Sequence, residues 1–299
     1  MSLGRRRWLG SASVLAGGLA GGLLSGCAIR PEQDHTGPDA PQAGPLPLVP
    51  RVAWVFSSGG PRGYVHVGVL KALHALKLQP DLVVGSSVGA LVGTLCAAGV
   101  PAPEIEQLAL NLQPWELVRL APASTQRLAA TGLADWVHDQ VQGRPLQALP
   151  VPMVCVAQRL HDGAVVGFNQ GHAGLAVQAS AAIEGQFVPV TIRGLAYADA
   201  DRRMPLPVRM ARQLGAVRVL AVDASAHEDR APERARVYRE GDLRKRALTE
   251  PDARLADVLL HPDFGYWVSN SLEFRQRAIE AGYQATMAAA PALRALHAG

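Results

Sequence analysis

The sequence predicts an α/β fold, with a central, mostly parallel β-sheet covered by helices on both faces. Three observations predict it. The chain has 299 residues, 48% hydrophobic and 18% charged, ample for one domain with a large core and small for two. Short apolar runs suited to buried strands alternate with segments of helical apolar spacing. Two glycine-rich turns, at 57–63 and 85–89, directly follow two of those runs, and ligands in such sheets bind beyond the carboxyl ends of the strands.

Taken in order, the N-terminus reads as an address. MSLGRRRWLG is basic, no charged residue stands between Trp8 and Ile29, and Leu24-Ser25-Gly26 precedes Cys27. This run resembles the lipobox of bacterial lipoproteins, in which the cysteine is lipid-modified and becomes the new N-terminus. Arg5-Arg6-Arg7-Trp8-Leu9 also resembles a twin-arginine export signal. A plain transmembrane anchor is the competing reading, and the glycines and small-residue end favour a processed signal. The expected division is a signal peptide over 1–26, a Pro-rich tether over 27–50 and a folded body over 51–299. Six prolines between Arg30 and Pro50 mark the tether.

In the body, RVAWVF (51–56) reads as a strand and the segment from Tyr64 as a helix with apolar positions at Val65, Val69, Leu70 and Leu73. DLVVG (81–85) is the next strand, followed by a helix over 88–98 that Gly99 and Pro101 close. VPMVCVAQ (151–158) and VRVLAVDAS (217–225) are two more strands. Residues 113–150 read as helical and partly polar, a cap over a cleft. Residues 230–257 are strongly charged and read as a solvated surface insertion. The last 29 residues read as a terminal amphipathic helix packed on the body.

Composition excludes several roles. Three of the 29 basic residues are Arg5, Arg6 and Arg7, so the body carries 26 bases against 25 acids, a net of +1. With no basic stripe interleaved with aromatics, nucleic-acid binding has no support. Cys96 and Cys155 sit in apolar runs and read as buried thiols, not a disulfide framework. The nine histidines show no metal-ligand spacing, so neither a metal nor a cofactor is expected.

The chemistry centres on Gly85-Ser86-Ser87-Val88-Gly89. After an apolar strand and before a helix, G-x-S-x-G reads as a nucleophile elbow, with small neighbours that let backbones pass closely. A Ser-His-Asp triad would need a placed histidine. His161, His172, His227 and His261 are available but none has a persuasive local setting, and His66 reads as packed within its helix. Ser86, at the variable position of the motif, reads as structural.

Four blocks between residues 51 and 225 resemble the patatin-like phospholipase family: FSSGGPRGYVHVGVLKAL, VVGSSVGALVGTL, AVQASAAIEGQFVPV and YADADRRMPLPVRMARQLGA. IEAGYQA resembles the family's closing helix. The resemblance implies a three-layer patatin-like fold and a Ser-Asp dyad without histidine, with Ser87 the nucleophile and Asp199 the general base. It implies an oxyanion hole from the loop of Gly59, Gly60, Arg62 and Gly63. Pro61 has no N–H to give, and Arg62 would hold the loop. Three departures stand out. The family has two glycines after the aspartate where this chain has Ala200-Asp201, and alanine does not reach positive φ as cheaply. Asp201 adds a second carboxylate nearby and competes for the role of base. Met204 and Glu184 stand where a polar residue and a proline are usual.

The resemblance therefore implies a lipid acyl hydrolase using an acyl-enzyme on membrane lipid esters. The protein would be held through lipidated Cys27 in a bacterial envelope, at the periplasmic face of the outer membrane. A lipid acyltransferase and a catalytically silent lipid- or partner-binding lipoprotein are the alternatives. The sequence leaves the oligomeric state open.

Overall fold

A sheet forms because several apolar runs have two faces to bury. In β1 (Val52–Phe56) every residue is buried. The pleat sends Val52, Trp54 and Phe56 into one core and Ala53 and Val55 into another. The same alternation divides β2 (Leu82–Ser86): Val83 faces the first core, Leu82 and Val84 the second. It recurs further along the chain at Met153 and Val154, and at Leu220 and Ala221. This is the pattern of a sheet covered on both sides.

The computed structural model describes residues 33–121 and 128–298. The expected signal peptide and Cys27 lie outside the described residues. After β1, α1 (Tyr64–Ala75) leads to β2, α2 (Val88–Ala97) and α3 (Ala102–Asn111). A small excursion with β3 (Arg119–Leu120) and β4 (Leu128–Ala129) precedes α4 (Thr131–Gln140). Then come β5 (Met153–Arg159), β6 (Val165–Phe168), α5 (Ala173–Ser180), β7 (Val190–Ile192) and β8 (Leu195–Asp199). The chain ends with α6 (Val208–Gln213), β9 (Arg218–Val222), α7 (Arg239–Ala253), β10 (Val258–Leu260), α8 (Leu272–Ala288) and α9 (Ala290–Ala298).

The sheet runs β10-β9-β1-β2-β5-β8-β7, with β6 also on β5. The five strands from β10 to β5 are parallel, and β6, β7 and β8 pair antiparallel. Helices α1 to α5 cover one face, and α6 with the end of α7 covers the other. The mostly parallel three-layer α/β architecture is therefore present.

Three segments differ in detail from the sequence reading. Residues 33–50, expected as a tether, lie along the body. His35 N donates to Thr191 O at 3.0 Å, Gly44 N to Asn169 Oδ1 at 2.7 Å, and Ala40 is buried. Prolines keep this strap from forming a strand, yet its polar backbone finds partners. The described residues form one compact unit. The terminal helix is two helices, because Pro291 cannot continue α8 and instead occupies the first turn of α9. The charged 230–257 segment is mostly exposed, as expected, but it is not a loose insertion: it docks on the body through a few residues. It folds as α7, whose buried Asp252 accepts from the N–H and Nε of Arg209 at 3.0 and 2.9 Å. No described helix is long and apolar enough to cross a membrane.

Candidate active site

Ser87 sits between the end of β2 and the start of α2 with φ 55° and ψ −122°. A non-glycine residue in that region costs on the order of 1–3 kcal/mol and persists only where the surroundings fix it. Three contacts fix it. Ser87 N donates to Ser180 Oγ at 2.9 Å, and Ser180 Oγ donates to Val156 O at 2.6 Å. Ala90 N donates to Ser87 O at 2.9 Å, which starts α2 on the serine. The flanking glycines have steric reasons. A Cβ on Gly85 would lie 2.3 Å from Gly89 O, and one on Gly89 would lie 2.3 Å from Phe56 O.

The register of the sheet brings Asp199 alongside. Ser86 pairs with Val156 on β5, so Ser87 is level with Ala157, and Ala157 pairs with Asp199 on the antiparallel β8. β8 runs against the parallel strands and overlaps only the last three residues of β5, so its final residue stops level with their carboxyl ends. Ser87 and Asp199 open on the same cavity, of about 160 Å³, whose wall also includes Gly59, Gly60, Glu184 and Lys245. Both residues are largely buried. Burial pushes the Asp199 carboxyl up to about 6, the charge of Asp201 adds to that, and the Ser87 hydroxyl, the Asp201 amide and Lys245 pull the other way.

Asp201 has its own partners. Its Oδ1 accepts from Ser58 Oγ and from Lys245 Nζ, the latter at 2.7 Å, and its N–H donates to Asp199 Oδ1 at 2.8 Å. Burial would raise its carboxyl, but Lys245 and the Ser58 bond outweigh that and hold it low. A carboxylate held low accepts protons poorly, so Asp199 has the higher proton affinity of the two. The intervening Ala200 is buried against the second core in a short 3-10 turn, away from positive φ, so the missing glycine leaves the loop unstrained.

The Gly59–Gly63 loop divides its labour. Gly59 and Gly60 line the cavity, Gly60 with φ +52°, and neither amide donates to another described residue. Arg62 and Gly63 stand beside the residues that line it. The Arg62 N–H is already given to Gly59 O at 3.1 Å. Its buried side chain instead donates to Ala224 O at 2.7 Å, Gly265 O at 3.0 Å and Tyr266 O at 3.1 Å, and lies over the Phe264 ring. Gly63 gives room to Val88: a Cβ there would fall 2.3 Å from its Cγ2.

The remaining candidates fall elsewhere. Ser86 is fully buried and its Oγ has no partner among the described residues. His66 is buried in α1 with Nε2 2.9 Å from Ser57 O, and burial pushes its imidazole down to about 4. His172 caps α5, His161 is exposed beside Asp162, and His227 stacks on His261 beyond β9 and β10. No histidine lines the Ser87 cavity. Sequence reasoning missed Lys245, which lies in the segment read as solvated. Its signal is its spacing on α7: Lys245 and Asp252 are seven residues apart, on one face of the helix, and both meet the body.

Comparison with known proteins gives the same frame. The family profile described as "Patatin-like phospholipase" matches residues 54–212, a span that holds Ser87, Asp199 and the 57–63 turn. An uncharacterized NTE family protein of Mycobacterium bovis is 35% identical over 182 residues, 60% of this chain and 50% of that protein. Patatin-like phospholipase domain-containing protein 6 of Homo sapiens is 28% identical over 188 residues, 60% of this chain and 14% of that protein. The chain thus spans half the length of the mycobacterial relative and a small part of the human one. VipD from Legionella pneumophila shares the fold, with a TM-score of 0.56 at 13% identity over 89% of this chain and 71% of that one. With a profile match over half of its residues, the chain belongs to the patatin-like phospholipase family.

Proposed function

We propose that the protein is a serine hydrolase of lipid acyl esters, phospholipase A-like, working through a Ser87–Asp199 dyad. The observation that carries this reading is the shared cavity: a strained serine, a buried carboxyl with its pKa near 6, and two glycine amides with no acceptor among the described residues. Ser87 Oγ attacks the ester carbonyl and its proton passes to Asp199. The oxyanion that develops meets the Gly59 and Gly60 amides and the N-terminal end of α2. The departing alcohol takes the proton from Asp199, and acyl-Ser87 remains. Water then attacks the acyl-enzyme and gives a proton to the same carboxylate, which passes it to Ser87 Oγ as the acyl–oxygen bond breaks, freeing the fatty acid and restoring the serine hydroxyl and the Asp199 carboxylate. A base with a pKa just below neutral suits both proton transfers.

The lipobox resemblance supports a second part of the proposal, an envelope lipoprotein tethered through Cys27 at the periplasmic face of the outer membrane. A tether on the surface that holds the substrate raises the effective concentration of enzyme at its target. The test uses the body from Pro31 onward. Phosphatidylethanolamine vesicles and a soluble short-chain ester are supplied, and released fatty acid and alcohol are quantified. The expected result is release in both assays and a fall of about a thousandfold or more in Ser87→Ala. Equal release by Ser87→Ala would overturn the proposal.

A further inference from the structure

Positive charge in the body is concentrated in one place. Residues 230–246 contain seven basic and three acidic side chains, a net of +4, whereas the rest of the body, Arg5 to Arg7 set aside, sums to −3. The same stretch exposes apolar groups: Val237 is 78% and Tyr238 56% exposed. Against them lies the loop after β10, where Trp267 and Val268 are also exposed, as is Leu272 at the start of α8. The two segments touch, with Tyr238 edge-on to the Trp267 ring at 6.2 Å and the Arg234 guanidinium over that ring at 5.1 Å. Arg236 and Arg244 pair with Glu233 and Glu240, which leaves Arg234 and Arg239 without an acidic partner among the described residues.

The patch is joined to the catalytic loop. Arg62, two residues after Gly60, holds the carbonyls of Gly265 and Tyr266. The Tyr266 hydroxyl donates to Asp242 Oδ2 at 2.5 Å on α7, the helix that sends Lys245 into the Ser87 cavity. Rings with one apolar and one wet end, aliphatic tips and unpaired arginines together suit an interface of acyl chains and anionic headgroups. We infer that the Val237–Tyr238 and Trp267–Val268 surface docks the body on an anionic lipid bilayer, with the Ser87 cavity at its margin. The inference rests on the lipid-ester reading for its purpose but not for its test.

The test uses the body from Pro31 onward, which is compact by itself and contains the entire described core. Cosedimentation is measured with phosphatidylcholine vesicles, with and without phosphatidylglycerol, and soluble-ester hydrolysis is followed in parallel. Binding is expected only with phosphatidylglycerol present, and salt weakens it. Losing a basic residue at such a surface weakens binding about fivefold, so Arg234→Gln/Arg239→Gln weakens it about 25-fold. Val237→Ser/Trp267→Ser weakens it as well, and both variants keep wild-type turnover of the soluble ester. Absence of binding, or wild-type binding by both variants with that turnover intact, overturns the inference and leaves the patch to a protein partner. Phosphatidylglycerol-dependent binding lost in the variants, without soluble-ester hydrolysis by any form, would sink the hydrolase proposal and leave the docking surface standing.

Discussion

Asp199→Asn should stabilise the fold at alkaline pH while it abolishes turnover. The carboxyl is 6% exposed, and burial raises it from an ordinary 3.8 to about 6. The folded state therefore disfavours the ionised form, by about 3 kcal/mol for a shift of roughly two units. The sign follows from linkage. Below pH 3.8 the carboxyl is protonated in both states and there is no penalty. Between 3.8 and 6 the unfolded chain loses the proton and the folded one keeps it, so the penalty grows. Above 6 it is complete. Asparagine has the same shape, and its Oδ1 still accepts from the Asp201 N–H, the bond that Asp199 makes at 2.8 Å. In urea titrations of the body, the variant is expected to be more stable than wild type by up to about 3 kcal/mol at pH 8 and equal to it near pH 4. Equal stability at pH 8, or an advantage that persists undiminished at pH 4, would refute the argument that burial sets the proton affinity of this group.

Other consequences follow from the same contacts. Soluble-ester kcat/KM should rise with pH up to about 6 and level off above it, since Asp199 accepts a proton only when ionised. Lys245→Met should move that midpoint upward by removing a charge that holds Asp199 down, and an unmoved midpoint would count against this coupling. Ser180→Ala leaves Ser87 N–H and Val156 O without a partner, so stability in urea should fall by about 1–3 kcal/mol, with slower acylation of Ser87. Gly89→Ala forces a Cβ against Phe56 O and should cost about 3 kcal/mol, read as a lower urea midpoint at an unchanged slope. Arg62→Leu strips three carbonyls of their donor, and limited proteolysis should then cut within residues 263–268 much faster than in wild type.

What the sequence made legible was whatever is written in local pattern. Unbroken apolar runs gave β1, β2, β5 and β9, because strands buried on both faces need no polar alternation. Gly85 and Gly89 marked the elbow by their spacing around the serine, although only the Gly85 clash, with Gly89 O, is local, and Gly89 makes room for Phe56 O on β1. Long-range charge pairing was not legible. Lys245 reaches Asp201 across 44 residues, and Asp252 takes Arg209 across 43, so a charged run read as solvent-facing covers the site. The strap of residues 33–50 was hidden for a related reason: its partners, such as Asn169, bind backbone, which any sequence carries. Arg62 lay at the right place in the right loop, but its side chain turns away from the cavity to bolt the loop after β10.

The central claim is that Ser87 is the nucleophile and Asp199, not Asp201, its base. The most direct measurement is fluorophosphonate labelling of the body from Pro31 onward, with the adduct located by mass spectrometry, in wild type, Ser87→Ala, Asp199→Asn and Asp201→Asn. The account predicts an adduct on Ser87 in wild type, none in Ser87→Ala, loss in Asp199→Asn and retention in Asp201→Asn. An adduct on another serine, loss with Asp201→Asn in place of Asp199→Asn, or no adduct on a folded wild type would contradict it.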